Sequence, residues 1–146
     1  MTIAQMVRNW NSIDVASESA WVMLENREQL VQYNKDQLER GDKNDLTPIR
    51  PVYASNWYAS MKQKKNSKPK PGTPDLKLTG AFYDGIVIKM EGYNKYSVTS
   101  IDSKTSQLVS WYSSSIFGFT PRSRQEIQDE IMQDELIKRL KSKLFK

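Results

Sequence analysis

With 146 residues, 22 basic and 17 acidic groups and a net charge of +5, the chain is long enough for one domain with its own core and is modestly basic. It has no cysteine and no histidine. That excludes disulfide frameworks, thiolate chemistry, zinc fingers and Ser-His-Asp triads, and it removes the usual general base near neutral pH. The longest uncharged apolar runs, such as Ile86 to Ile88, are far too short to cross a bilayer. The first ten residues lack the basic start and long apolar core of a secretory signal, so no membrane association and a cytoplasmic place of synthesis are expected.

Charge is unevenly placed. Residues 1–46 carry a net −3, residues 47–80 a net +6, residues 81–119 balance, and residues 120–146 carry +2. Such polarity suits a nucleic-acid partner or self-complementary contacts between copies, and a plain solvated face remains the alternative.

In chain order, Ile3, Met6, Val7 and Trp10 fall at helical spacing, so residues 1–14 read as a short helix or an arm that orders against a partner. From Val15 to Arg40, Ala16, Ala20, Trp21, Leu24, Val31 and Leu38 form one apolar stripe and predict a long amphipathic helix stopped by Gly41 in the left-handed region. Trp21 and Leu24 are expected in the core. Thr47-Pro48 and Arg50-Pro51 then break regular structure, and Tyr53, Trp57, Tyr58 and Met61 are spaced for a short helix. The stretch Lys62 to Pro74 holds Lys62, Lys64, Lys65, Lys68 and Lys70 with three prolines close behind, and it predicts an exposed, mobile basic loop at about 62–75. So many like charges on one loop point to phosphate or an acidic partner, against a solvated loop as the bland reading.

Thr79-Gly80 punctuates the backbone, and Gly85 leads into Ile86, Val87, Ile88, Lys89 and Met90, a half-buried strand. Glu91-Gly92-Tyr93-Asn94 reads as a tight turn, and Lys95 to Ile101 as the returning strand. Two strands alone are marginal, so further strand is expected from elsewhere in the chain or from another copy. A short helix is expected over Gln107 to Tyr112, then an apolar plug at Ile116-Phe117-Gly118-Phe119. Thr120 caps a last helix with Pro121 at its first position, running to about Phe145. The fold class is therefore α+β: a small antiparallel sheet, a hairpin at about 85–101, flanked by a long N-terminal and a long C-terminal helix. Residues 15–146 form the single domain.

No catalytic, cofactor-binding or metal-ligating set emerges. Gly-rich phosphate loops are missing, and Ser67-Lys68-Pro69-Lys70 matches Ser-x-x-Lys only as a chance tetrapeptide in a lysine-rich run. Asp129, Glu130, Asp134 and Glu135 read as acids favoured early in the last helix by its dipole. The chain reads as a non-enzyme without a cofactor. One binding mode does follow from the residues: the five lysines beside Tyr53, Trp57 and Tyr58 combine positive charge with stacking surface, as on proteins that hold single strands.

Taken together, the polar N-terminal helix, the Lys/Pro-rich loop, Leu78-Thr79-Gly80-Ala81-Phe82-Tyr83-Asp84-Gly85-Ile86 leading into a hairpin, Ile116-Phe117-Gly118-Phe119-Thr120 and the closing amphipathic helix resemble a known family. It is the tail-completion and virion-morphogenesis proteins of tailed bacteriophages, in which Leu-Thr-Gly-x-(Phe/Leu)-x-x-x-Ile opens a strand and a Phe-Gly plug precedes the last helix. The resemblance spans about residues 25–142. It marks Thr79, Gly80, Phe82, Gly85, Phe117 and Gly118 as the structural motif. It implies a virion protein without an active site, assembled in the host cytoplasm into a homo-oligomeric ring of six or twelve copies at the head–tail junction. Its partners would be other neck, portal or tail proteins, and the basic loop would make at most non-specific contact with DNA. The alternative is a small basic nucleic-acid-binding protein.

Overall fold

The computed structural model of the chain describes residues 1–91 and 95–146. It is an α+β fold, with helices at both ends and a two-stranded antiparallel sheet between them. Among the described residues no helix is long and apolar enough to cross a membrane.

Helix α1 (Ile3–Ser12) starts at a capping box: Thr2 Oγ1 accepts from the Gln5 N–H, and Gln5 Oε1 accepts from the Thr2 N–H. Residues 15–40 do not form one helix. Helix α2 (Val15–Glu25) and helix α3 (Arg27–Glu39) meet at Asn26, whose φ of −107° and ψ of 17° leave the helical region. Its side-chain amide donates to the Val22 carbonyl at 2.8 Å. This local bond offers the backbone an alternative to the helical ladder, which is why Asn is a weak helix former. The break changes which residues reach the core. Val22 is buried, Leu24 is half-buried, and Trp21 is 52% exposed with the Arg139 guanidinium over its ring, rather than in the core as its spacing implied. Helix α3 ends as expected, with Gly41 at a φ of 77°.

Helix α4 (Asn56–Lys65) follows the proline breaks. A one-turn helix, α5 (Ala81–Asp84), leads into β1 (Ile86–Met90), which pairs with β2 (Tyr96–Ser100) in the register Ile88↔Val98. Of the expected turn, Gly92, Tyr93 and Asn94 lie outside the described residues. Beyond the hairpin come α6 (Thr105–Tyr112), a single 3-10 turn, and α7 (Pro121–Ile127). Thr120 Oγ1 accepts from the Ser123 N–H at the start of α7, the cap that Thr-Pro predicts. A π-helical segment (Gln128–Met132) joins α7 to α8 (Gln133–Leu144) with helical backbone at both joints, so the chain closes on one long helical run.

The core lies between α3, the inner face of the hairpin and the plug. Leu30, Val31, Leu38, Ile49, Phe82, Tyr83, Ile86, Ile88, Ile116, Phe117, Phe119, Ile127 and Ile131 are buried together, each contributing roughly 1.5–3 kcal/mol for a fully buried large apolar side chain. The motif residues explain much of this packing. Phe82 and Phe117 meet with ring centroids 5.8 Å apart. Gly80 starts α5 at a φ of 91°, which an L side chain tolerates poorly. Gly85 needs no special dihedral; it is small because β2 presses on it, and a Cβ there would lie 2.7 Å from Ser100 Oγ. The plug is held by Asn34 on α3, whose amide donates to the Ile116 carbonyl and accepts from the Gly118 N–H.

A second, ionic tie joins the ends of the fold. Glu18 on α2 is nearly buried and pairs with both Arg139 and Lys143 on α8, and Arg139 also reaches Glu25 at 3.2 Å. Asn9 on α1 donates to the Leu144 carbonyl at 2.9 Å.

Candidate functional site

The lysine-rich stretch is not the free loop that its composition implies. Ser55 Oγ accepts from the Tyr58 N–H to start α4, and the helix continues through Lys65, with Lys62, Lys64 and Lys65 in its last turn, where the dipole favours cations. Lys62 turns inward. It is 9% exposed, its Nζ lies 2.8 Å from Asp75 Oδ1, and it donates to the Lys77 carbonyl. The chain from Asn66 to Gly80 then folds back along α3 and α4. Asn66 donates to the Glu39 carbonyl and to Asp75 Oδ2, while Lys68 and Lys77 both pair with the Glu39 carboxylate at 3.0 and 3.4 Å. Tyr53 N–H donates to the Gly72 carbonyl, and the Tyr83 hydroxyl donates to that of Asp75. Pro69, Thr73, Pro74 and Asp75 are buried. The expectation of an exposed mobile loop at 62–75 is thus corrected, because the Glu39 and Asp75 carboxylates, the Glu39 carbonyl and the donors of Tyr53 and Tyr83 hold the stretch in place. Lys62 drops out as a contact candidate, and Lys68 is committed to Glu39. Lys64, Lys65 and Lys70 stay exposed, with no carboxylate within 4.0 Å among the described residues.

This fold-back builds two adjoining concavities. The first is an apolar groove of about 210 Å³ between α4 and α6, walled by Tyr53, Tyr58, Leu76, Leu78, Trp111 and Tyr112, with Lys104 at its rim. Tyr53 and Tyr58 stack edge-to-face at 4.9 Å on one side, and Trp111 and Tyr112 at 6.3 Å on the other. The second is a polar trough of about 410 Å³ holding Lys62, Lys65, Lys68 and Lys77 with Glu39 and Asp75. Burial pushes the Tyr53 and Tyr112 phenols above their ordinary value, helped at Tyr53 by the nearby Asp75 carboxylate and at Tyr112 by Tyr58. Glu39 is held below the usual carboxylate range, chiefly by the Lys68 hydrogen bond against the opposing effect of burial, with Lys77 adding to it.

Of the residues singled out from sequence, Tyr53, Tyr58, Thr79, Gly80 and Phe82 reach the groove, and Lys62, Lys65 and Lys68 reach the trough. Trp57 lines neither; it is 74% exposed on the outer side of α4. Gly85 and Phe117 serve the core, and Gly118 lies by β2 and Asn44. Trp111, Tyr112, Lys104 and Asp75 belong to the site without having been assigned to it. No linear spacing connects α4 with α6, and the only hint was an aromatic pair on a short helix. Among the described residues no group of three or more carboxylates is placed to hold a metal ion.

No protein-family model, curated protein or solved structure matches this chain.

Proposed function

We propose that the chain is a structural virion protein that forms part of a ring at the head–tail junction of a tailed phage, joining portal-side and tail-side components around the DNA channel. The resemblance of Leu78–Ile86 and Ile116–Thr120 to the tail-completion family motivates the reading. The observation that carries it is the outer face of α1. Ile3, Val7 and Trp10 fall on one stripe and are 81, 52 and 54% exposed, while the inner side of the helix rests on α8 through Asn9. An amphipathic helix whose apolar stripe faces water is a surface that association with another chain would cover. The two-stranded sheet adds to this. Its register turns the main-chain groups of Ile86, Ile88 and Met90 away from β2, so β1 keeps an outer edge. An apolar helix in one place and a strand edge in another are different surfaces, as a head-to-tail contact that closes into a ring requires.

Light scattering on the purified chain, coupled to size exclusion, tests the reading. The expected result is a single species of about six or twelve times the 16.9 kDa protomer, ring-shaped by electron microscopy and reduced to protomers by Val7→Asp. A concentration-independent monomer, absent from purified virions, would reject it.

A further inference from the structure

The aromatic groove and the lysine trough are two halves of one concavity, because Lys62, Lys77, Leu78, Thr79 and Gly80 line both. We infer that this concavity binds single-stranded nucleic acid, with an unpaired base in the aromatic half and its phosphate in the lysine half. The inference is independent of the ring reading, which rests on α1 and the edge of β1.

Charge complementarity identifies the partner. In the trough, Asp75 is answered by Lys62, and Glu39 by Lys68 and Lys77, which leaves Lys65 unpaired among the described residues and the trough net positive. Lys104 adds a cation from the α6 side, with Asp102 as far as 4.0 Å away. Lys64 is a further unpaired cation on α4 among the described residues. The ion pairs do more than neutralise. They hold Lys77 along the shared wall beside Lys65, so an incoming anion meets a pre-positioned donor and does not have to order a flexible side chain. The occupant must therefore bring a negative charge beside a flat apolar face. A nucleotide in a single strand does so at every step, and stacking on Tyr and Trp tolerates any base. A duplex keeps its bases inside the stack and has no face to offer the groove. The walls are two helices and a loop, without a strand edge along which an extended peptide would pair.

The test is fluorescence anisotropy with a labelled oligo-dT of about 15 nucleotides, titrated from about 50 to 500 mM salt, with tryptophan emission followed in parallel. Expected are binding that quenches tryptophan and weakens steeply with salt, and a loss of about 5- to 150-fold for Trp111→Ala, the effect of one stacked base. Lys65→Ala should lower both affinity and salt slope. Trp57→Ala, outside both halves, should leave binding unchanged. An abasic oligomer should bind more weakly and ignore Trp111→Ala. Trp111 and Lys65 are both exposed, so circular-dichroism melts of the variants should match the parent. Four outcomes would overturn the inference. They are no binding of oligo-dT, duplex or abasic oligomer bound as tightly as oligo-dT with Trp111→Ala silent, thymidine monophosphate bound as tightly as the oligomer, or an acidic tryptophan-bearing peptide bound more tightly than either.

Discussion

Replacing Gly85 by alanine isolates one close approach in the joint between α5 and the hairpin. The residue has an ordinary φ of −83°, so the substitution adds a methyl group without dihedral strain. That methyl would lie 2.7 Å from Ser100 Oγ, 3.0 Å from the Asp102 nitrogen and 3.4 Å from the Ala81 carbonyl oxygen. Ser100 is buried, and its hydroxyl is tied, donating to the Phe82 carbonyl at 2.9 Å and accepting from the Asp102 N–H at 3.3 Å. It cannot swing aside without breaking both bonds. Overpacking costs about 1–3 kcal/mol, and two weakened hydrogen bonds add about 0.5–1.5 kcal/mol each. The sum is a loss of about 2–6 kcal/mol, or a fall in Tm of roughly 5–20 °C for a chain of this size. Urea denaturation followed by far-UV circular dichroism measures it, with an unchanged m-value showing that the denatured state is not responsible. Gly85→Ala combined with Ser100→Ala should be less destabilised than the two single variants added together, because the nearest colliding atom is gone. A loss below about 1 kcal/mol, or strict additivity, would refute the reasoning.

Gly80→Val tests the opposite case, a left-handed dihedral with open space around the new Cβ. It should cost about 1–3 kcal/mol through backbone strain alone, read by the same urea titration, and Gly80→Asn should recover part of it. Lys62→Met leaves Asp75 buried beside only its neutral donors, and should destabilise by about 3–5 kcal/mol, measured as a fall in the urea midpoint. A loss within a few tenths would mean that the pair is dispensable. Glu18 is held below its ordinary value of 4.5, chiefly by the Lys143 hydrogen bond and then by Arg139, against the opposing effect of burial. Folding thus favours its ionised form, and the stability it adds is present above pH 4.5 and is lost as the pH falls through the lowered folded value. Acid titration in that window should change Trp21 emission, since Arg139 lies over its ring. Glu18→Gln should abolish that step, and an identical titration in the variant would sink the assignment.

Much of the scaffold was legible because it is decided locally. Alternation from Ile86 to Met90, Thr120-Pro121 as a helix start and Gly41 as a stop depend on residues within a few positions, and each element formed where its pattern lay. The break at Asn26 was hidden because the apolar stripe runs through it, and a single side-chain bond to Val22 decides the geometry. The fate of the lysines was not legible at all. Whether Lys62, Lys68 and Lys77 are free depends on Asp75 and Glu39, the latter 38 residues away from Lys77. Composition sees the cations and not their distant acceptors. The groove was half legible for the same reason: Tyr58 announced itself, but its opposite wall on α6 is brought to it only by tertiary packing.

The hold of Glu39 and Asp75 on the lysine-rich stretch also bears on how the folded chain meets a protease. By composition this is where trypsin should cut first, since exposed, unstructured loops are the preferred sites of nicking. Yet Lys68 and Lys70 each precede a proline, which trypsin cleaves poorly. Lys62, Lys64 and Lys65 are wound into α4, and Lys77 is drawn to Glu39. Limited digestion should therefore open the chain elsewhere before it opens here, and a run of five lysines within nine residues should be among the protein's most resistant segments.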